Sequence, residues 1–177
     1  TIYLVFLSSA VLIIFSFIAN YGNRVTRSKF LNFLTMFSIT GYAIPGVILA
    51  VAFITFVAWF DNNIIKHYEL SSIKKIFIGS IIGLVIVYFI RFYSLAYNGL
   101  KSGYERINRS IDESSYLLGY SKIKTFLGIH VPYLRNSIFL IGILISIEII
   151  KELPITLILR PFNFETFATT AYIYASQ

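Results

Sequence analysis

The sequence predicts an all-α protein that crosses a membrane about four times, and three observations carry that prediction. Hydrophobic residues make up 57% of the 177 positions and charged residues only 13%, against roughly 25% charge in soluble domains. Mean hydropathy is +0.77. The apolar residues fall into long runs, with most of the charge in the gaps between them.

The net charge of +7 raises the question of nucleic acid. Its placement in loops between apolar runs points instead to the excess of Lys and Arg that cytoplasmic loops carry, so no nucleic-acid partner is expected. The chain has no cysteine, which excludes disulfides, zinc-thiolate sites and iron–sulfur clusters on it. It opens on Thr1 and stops at Gln177 inside an unfinished pattern, which reads as a fragment, so a signal peptide cannot be judged.

Residues 2–19 are apolar and uncharged, just long enough to span at about 1.5 Å per residue. Residues 20–29 carry Arg24, Arg27 and Lys29 with no acid and suit the cytoplasmic face. A second span is expected over residues 37–60, with Gly41-Tyr42-Ala43-Ile44-Pro45-Gly46 inside it. Pro45 removes a backbone donor and the glycines permit close approach or a bend. Either the helix is simply kinked, or Gly41, Pro45 and Gly46 form a hinge that lines a path. Residues 61–75 set Asp61 and Glu69 against Lys66, Lys74 and Lys75, a mixture that fits the outer side.

A third span is expected over residues 76–96, with Arg91 near its inner end and free to snorkel to the headgroups. Residues 98–136 form a long polar loop in which Lys101, Arg106, Arg109, Lys122, Lys124 and Arg135 outnumber Glu105, Asp112 and Glu113. That basic excess places the loop on the same side as residues 20–29, as two intervening spans require. Ser110-Ile111-Asp112-Glu113 reads as a capping box, and its acids suit the positive end of a helix dipole. Gly119 supplies the left-handed residue that ends the short helix. A second helix over residues 122–129 is then expected to end before Pro132. The result is a helix-turn-helix held against the membrane and open to a partner.

A fourth span starts near Ser137 and meets Glu148, Lys151, Glu152 and Pro154. The i, i+3, i+4 spacing puts the three charges on one helix face, and a charge inside a bilayer costs roughly 2.5 to 3.5 kcal/mol on insertion scales. The helix can end there with solvated charges. Glu148 and Lys151 can pair and hold helices together. Or these residues line a substrate gate with one unpaired carboxylate. Pro154 should end or break the helix, and Arg160-Pro161-Phe162 marks a return to the interface. Residues 164–177 are mildly amphipathic, with Glu165 the only charge, and are expected on the outer face. His67 and His130 lack a second ligand at metal spacing, so no metal site is assigned. No Gly-x-x-x-x-Gly-Lys-Ser/Thr phosphate loop is present, and no nucleophile, base and orienter can be grouped. If ATP drives this protein, another chain binds it.

Glu113-Ser114-Ser115, three residues, Gly119, nine residues and Ile129-x-Val131-Pro132 resemble the EAA loop of the membrane subunits of bacterial ABC importers. The family form is Glu-Ala-Ala, three residues, Gly, nine residues, Ile-x-Leu-Pro. Ser114 and Ser115 replace the alanines and Val131 the leucine, and all stay small or apolar. The resemblance implies a type I ABC importer permease fold, here partial. Residues 1–177 would belong to one transmembrane domain, with residues 98–136 as its cytoplasmic coupling loop. Glu113, Ser114, Ser115, Gly119, Ile129 and Pro132 would receive the stroke of a cytoplasmic ABC ATPase dimer. No catalytic residue or cofactor would sit on this chain, since ATP-Mg would bind the ATPase. A periplasmic or surface substrate-binding protein, a second permease half and membrane lipid would be its other partners, in the bacterial inner membrane.

The run 41–46, the run Lys151-Glu152-Leu153-Pro154-Ile155-Thr156-Leu157-Ile158-Leu159-Arg160-Pro161-Phe162 and Thr166-Phe167-Ala168-Thr169 are similar to segments of ferric-iron ABC importer permeases. Those permeases resemble two fused halves, and this chain would be the second half without its last span. The likeness implies ferric iron as substrate, with Glu148 and Glu152 as oxygen ligands apt for a hard cation. The same architecture serves importers of polyamines, thiamine, sulfate and phosphate. A membrane-embedded enzyme or anchor is the alternative of another class.

Overall fold

The computed structural model describes residues 1–26, 40–60 and 77–177, together with residues 29, 33, 35, 36, 62 and 63. Helix α1 (Ile2–Thr26) buries Leu4, Val5, Ser8, Ser9, Leu12, Ser16, Phe17 and Asn20 along one stripe. The serines on that stripe are small, so α1 can lie close against its main neighbour, α3 (Ile81–Glu105). The helix outruns the expected span by seven residues, 20–26. Its polar end stays helical because its side chains find partners: Asn20 Nδ2 donates to the Tyr97 carbonyl at 3.1 Å. Arg24 is therefore a helical residue, not a loop residue.

The span expected over residues 37–60 is not one helix. Residues 40–43 make a short 3-10 turn (Thr40–Ala43), and α2 (Gly46–Phe60) begins afresh after Pro45. The residue before a proline is pushed toward extended backbone, and the proline itself cannot donate, so a helix cannot run through Ile44-Pro45. The 15 residues of α2 reach about 22 Å, short of a bilayer core of about 30 Å. Residues 37–39, Arg27, His67 and nearly all of the expected outer loop at 61–75 lie outside the described residues.

Helix α3 is the hub. Leu84, Val87, Tyr88, Phe92, Ala96, Tyr97, Leu100 and Tyr104 are buried along it, packed by α1, by the 3-10 turn and by α6 (Val131–Lys151). It begins at the Ser80 cap and continues nine residues past the expected end at 96. The long polar loop is accordingly mostly helix. Residues 98–105 belong to α3 and residues 131–136 to α6, with α4 (Arg109–Leu117) and α5 (Lys122–Thr125) between them.

The helix after Gly119 does not stop before Pro132. It passes through a wide turn (Phe126–His130), in which the Val131 amide reaches back to the Phe126 carbonyl, and continues as α6. A proline at 132 cannot donate to the Gly128 carbonyl and would crowd it. Widening the turn to i→i+5 relieves that contact without ending the helix. Beyond α6 come α7 (Pro154–Leu159) and α8 (Phe167–Ala175), the latter capped by reciprocal Thr166 and Thr169 hydrogen bonds. Among the described residues, three helical stretches are long and apolar enough to cross a membrane: Ile2–Thr26, Ile81–Glu105 and Lys122–Lys151. With α2 as a shorter apolar helix and no strand among the described residues, the all-α class holds.

Candidate functional site

Two groups of residues stand out, one at each end of α6. Before its N-terminal end, α4 starts not at Ser110 but two residues earlier. Asn108 is the cap, its side chain accepting from the Ser110 amide at 3.2 Å. The expected Ser110–Glu113 capping box does not form; Asn108 caps instead, since Asn caps as well as Ser, and Asp112 is buried. At the other end of α4, Gly119 takes φ +82°. The Tyr120 amide bonds the Ser115 carbonyl and the Gly119 amide the Tyr116 carbonyl, both at 3.0 Å. This is the Schellman arrangement that favours glycine.

Ser115, buried, donates to the Asp112 carbonyl at 2.7 Å and shares a 2.9 Å hydrogen bond with the Thr125 hydroxyl. The serine that stands where the EAA pattern has alanine thus fastens α4 to α5. Glu113, Ser114 and Pro132 are exposed and Ile129 is half-buried. Leu117, Leu118 and Ile123 also face outward, Leu117 at 89% exposure and Ile123 at 72%. Apolar side chains so exposed on a polar loop are what a docking surface requires.

The spacing of the sequence did not reveal what holds this loop. Asp112 Oδ2 accepts from Arg24 Nε at 2.6 Å, and Oδ1 lies 2.7 Å from Nε2 of His130. The remaining guanidinium donors of Arg24 reach the carbonyls of Tyr104, Ile107 and Asn108, where α3 ends and a cation suits the dipole. Tyr21 Oη donates to the Lys122 carbonyl at 2.7 Å, and Phe17 and Tyr21 pack on the Phe126 ring. His130, expected to be isolated, is fully buried in this cluster. The C-terminal end of α1 thereby grips both short helices.

At the C-terminal end of α6 the expected charge cluster divides. Glu148 and Lys151 pair at 2.7 Å on the same helix, with Lys151 largely exposed. This pair is local and joins no two helices. Helix α6 ends at Lys151, so Glu152 leaves the shared face with ψ 107°. Glu152 is buried and not unpaired: Oε2 accepts from Arg91 Nε at 3.1 Å. Arg91 does not snorkel to headgroups. It lies ten residues into α3, about 15 Å from its start, and its Nη1 donates to the Ile44 carbonyl.

That contact brings the two helix breaks together. Gly46 lies so close to Glu152 that a Cβ there would come within 2.6 Å of Oε1. That same Oε1 accepts from the Ile155 amide at the start of α7, at 3.4 Å. Pro154 opens α7, Thr156 donates to the Glu152 carbonyl at 2.7 Å, and the Tyr88 and Thr156 hydroxyls bond. Backbone freed at membrane depth needs such internal partners. Gly41 belongs to the same layer, where a Cβ would come within 2.2 Å of the Ile90 carbonyl, while Pro45 is exposed. Among the described residues no three His, Cys, Asp or Glu side chains gather as metal ligands.

A family model described as "Binding-protein-dependent transport system inner membrane component" matches residues 5–175. No curated protein matches the chain.

Proposed function

Because the chain belongs to the family of inner membrane components of binding-protein-dependent transport systems, we propose that it is the permease subunit of an ATP-driven importer in a bacterial inner membrane. Its ATPase is a separate chain, seated as a dimer against α4 and α5, and ATP-Mg binds there. A substrate-binding protein delivers the solute from outside, and a second permease half completes the path. The observation that carries the docking is the outward apolar set Leu117, Leu118 and Ile123 on two short helices that are themselves tied down through Asp112 and Ser115.

The proposed substrate is ferric iron, a reading supported by the likeness of residues 41–46 and 151–162 to ferric-iron permeases. The layer of Arg91, Glu152, Gly46 and Pro154 is the proposed moving gate, with Gly41, Pro45 and Gly46 as its hinge. Glu148 and Glu152 each already hold a cationic side chain. A cation on this path therefore has to exchange with an ammonium or a guanidinium.

Co-purification of the ATPase with the chain and with Leu117→Asp/Ile123→Asp tests the docking. The expected result is loss of the ATPase from the double variant, and undiminished recovery would sink it. Uptake of radiolabelled ferric iron, thiamine and polyamine in a deletion strain carrying the chain separates the substrates. Uptake of either organic solute without iron would replace the ferric reading and leave the permease reading standing.

A further inference from the structure

A cavity of about 700 Å³ opens between the inner ends of α1 and α3 and the start of α4. Ligand pockets run to roughly 300–1,000 Å³, so a small polar group fits it. Lys101, Arg106 and Arg109 line it from α3, from the turn after it and from α4, against the single carboxylate of Glu105. None of these three cations forms an ion pair among the described residues. Arg24 forms the back wall, its donors already taken by Asp112 and three carbonyls, so its role there is to fix the shape. Asn23 and Tyr97 add a polar side, joined to each other by a 3.0 Å hydrogen bond.

Solvated loop charges spread apart, whereas these converge on one concavity from three successive pieces of chain. The level matters as well. The cavity begins beside Asn20 and Tyr97, where the apolar stretches of α1 and α3 give way to polar residues, and it ends at Arg109. That is the depth of headgroups on the cytoplasmic leaflet, whose anionic lipids attract basic residues and settle in basic pockets between helices.

We propose that this cavity binds the phosphodiester headgroup of an anionic phospholipid from the cytoplasmic leaflet. The α4 cap Asn108 lines the cavity itself, and with Arg24 as a shared wall this sets the lipid beside the anchor of the proposed coupling helices. Lipid binding itself depends on neither the ATPase nor the solute, so it can stand or fall apart from the importer reading.

The test is native mass spectrometry of the full-length membrane chain released from nanodiscs of phosphatidylcholine with or without phosphatidylglycerol. Retention of phosphatidylglycerol over phosphatidylcholine is expected, and Lys101→Gln/Arg106→Gln/Arg109→Gln should lower it by on the order of tenfold or more. The charge-keeping Lys101→Arg/Arg106→Lys/Arg109→Lys should hold the lipid as the wild type does, which separates lost charge from lost fold. Equal retention by the Gln variant would overturn the site. Millimolar inorganic phosphate at constant ionic strength should leave retention unchanged, and displacement of the lipid by it would overturn the assignment to a lipid.

Discussion

Arg24 Nε and Asp112 Oδ2 meet at 2.6 Å across 88 residues of sequence, and that contact ties α1 to α4. Because α1 also packs along α3 and against α6, displacement of α4 is passed to the bundle from two directions. One route runs along the continuous helix through His130. The other crosses space through the guanidinium.

Asp112→Ala strands Arg24 and His130 in a largely buried setting. Removing one partner of such a pair costs about 3 kcal/mol or more. The thermal midpoint of the purified chain should fall, and ATP hydrolysis should lose its dependence on substrate. An unchanged midpoint would mark the contact as idle.

Arg91 and Glu152 offer a sharper comparison. Arg91→Met or Glu152→Met alone leaves one buried charge and should each destabilise by about 3–5 kcal/mol. The double variant should cost much less than the sum, since replacing both charges is often near neutral. Additive losses in a double-mutant cycle would show that the two side chains do not act on each other.

Gly119 at φ +82° has open space around its Cβ position, so only backbone strain opposes a side chain. Gly119→Ala should cost about 1–2 kcal/mol, and Gly119→Asn less, because Asn tolerates that region. Melting curves should rank wild type, Asn and Ala in that order.

Gly41 is the opposite case, an ordinary conformation with no room. A Cβ there meets the Ile90 carbonyl of α3 at 2.2 Å, and overpacking of this kind costs roughly 1–3 kcal/mol. Gly22→Ala in α1, where nothing lies within 4 Å, should instead stabilise by about 0.5–1 kcal/mol. Folded yield and thermal midpoint should move in opposite directions for the two.

What the sequence made legible were features set by near neighbours. The left-handed glycine at 119, the break at Pro154 and the helical class all follow from local chemistry. The cap was misplaced by two residues because Asn108 and Ser110 are both good caps, and the inward pull of Arg24 on Asp112 is not a local property. Helices α1 and α3 outrun their apolar stretches because a polar sequence does not by itself mark a loop. At residues 20–26 and 98–105, polarity records distance from the bilayer and the helix simply continues. The partners of Arg91 and Asp112 lie 61 and 18 residues away, beyond any helical spacing. The EAA pattern marks residues 113–132 but does not reveal that Arg24 and Asp112 hold them to α1.

The wide turn over Phe126–His130 has a rotational consequence. Each residue of an α-helix advances the azimuth by about 100°, and a wide turn is in effect one residue inserted into that count. The extra residue is taken up within the turn, so the face that Ile123 presents stays nearly in phase with the apolar part of the same helix. Deleting a single residue from this turn would restore the ordinary pitch with little change of phase, and would bring back the crowding between Pro132 and the carbonyl one turn before it.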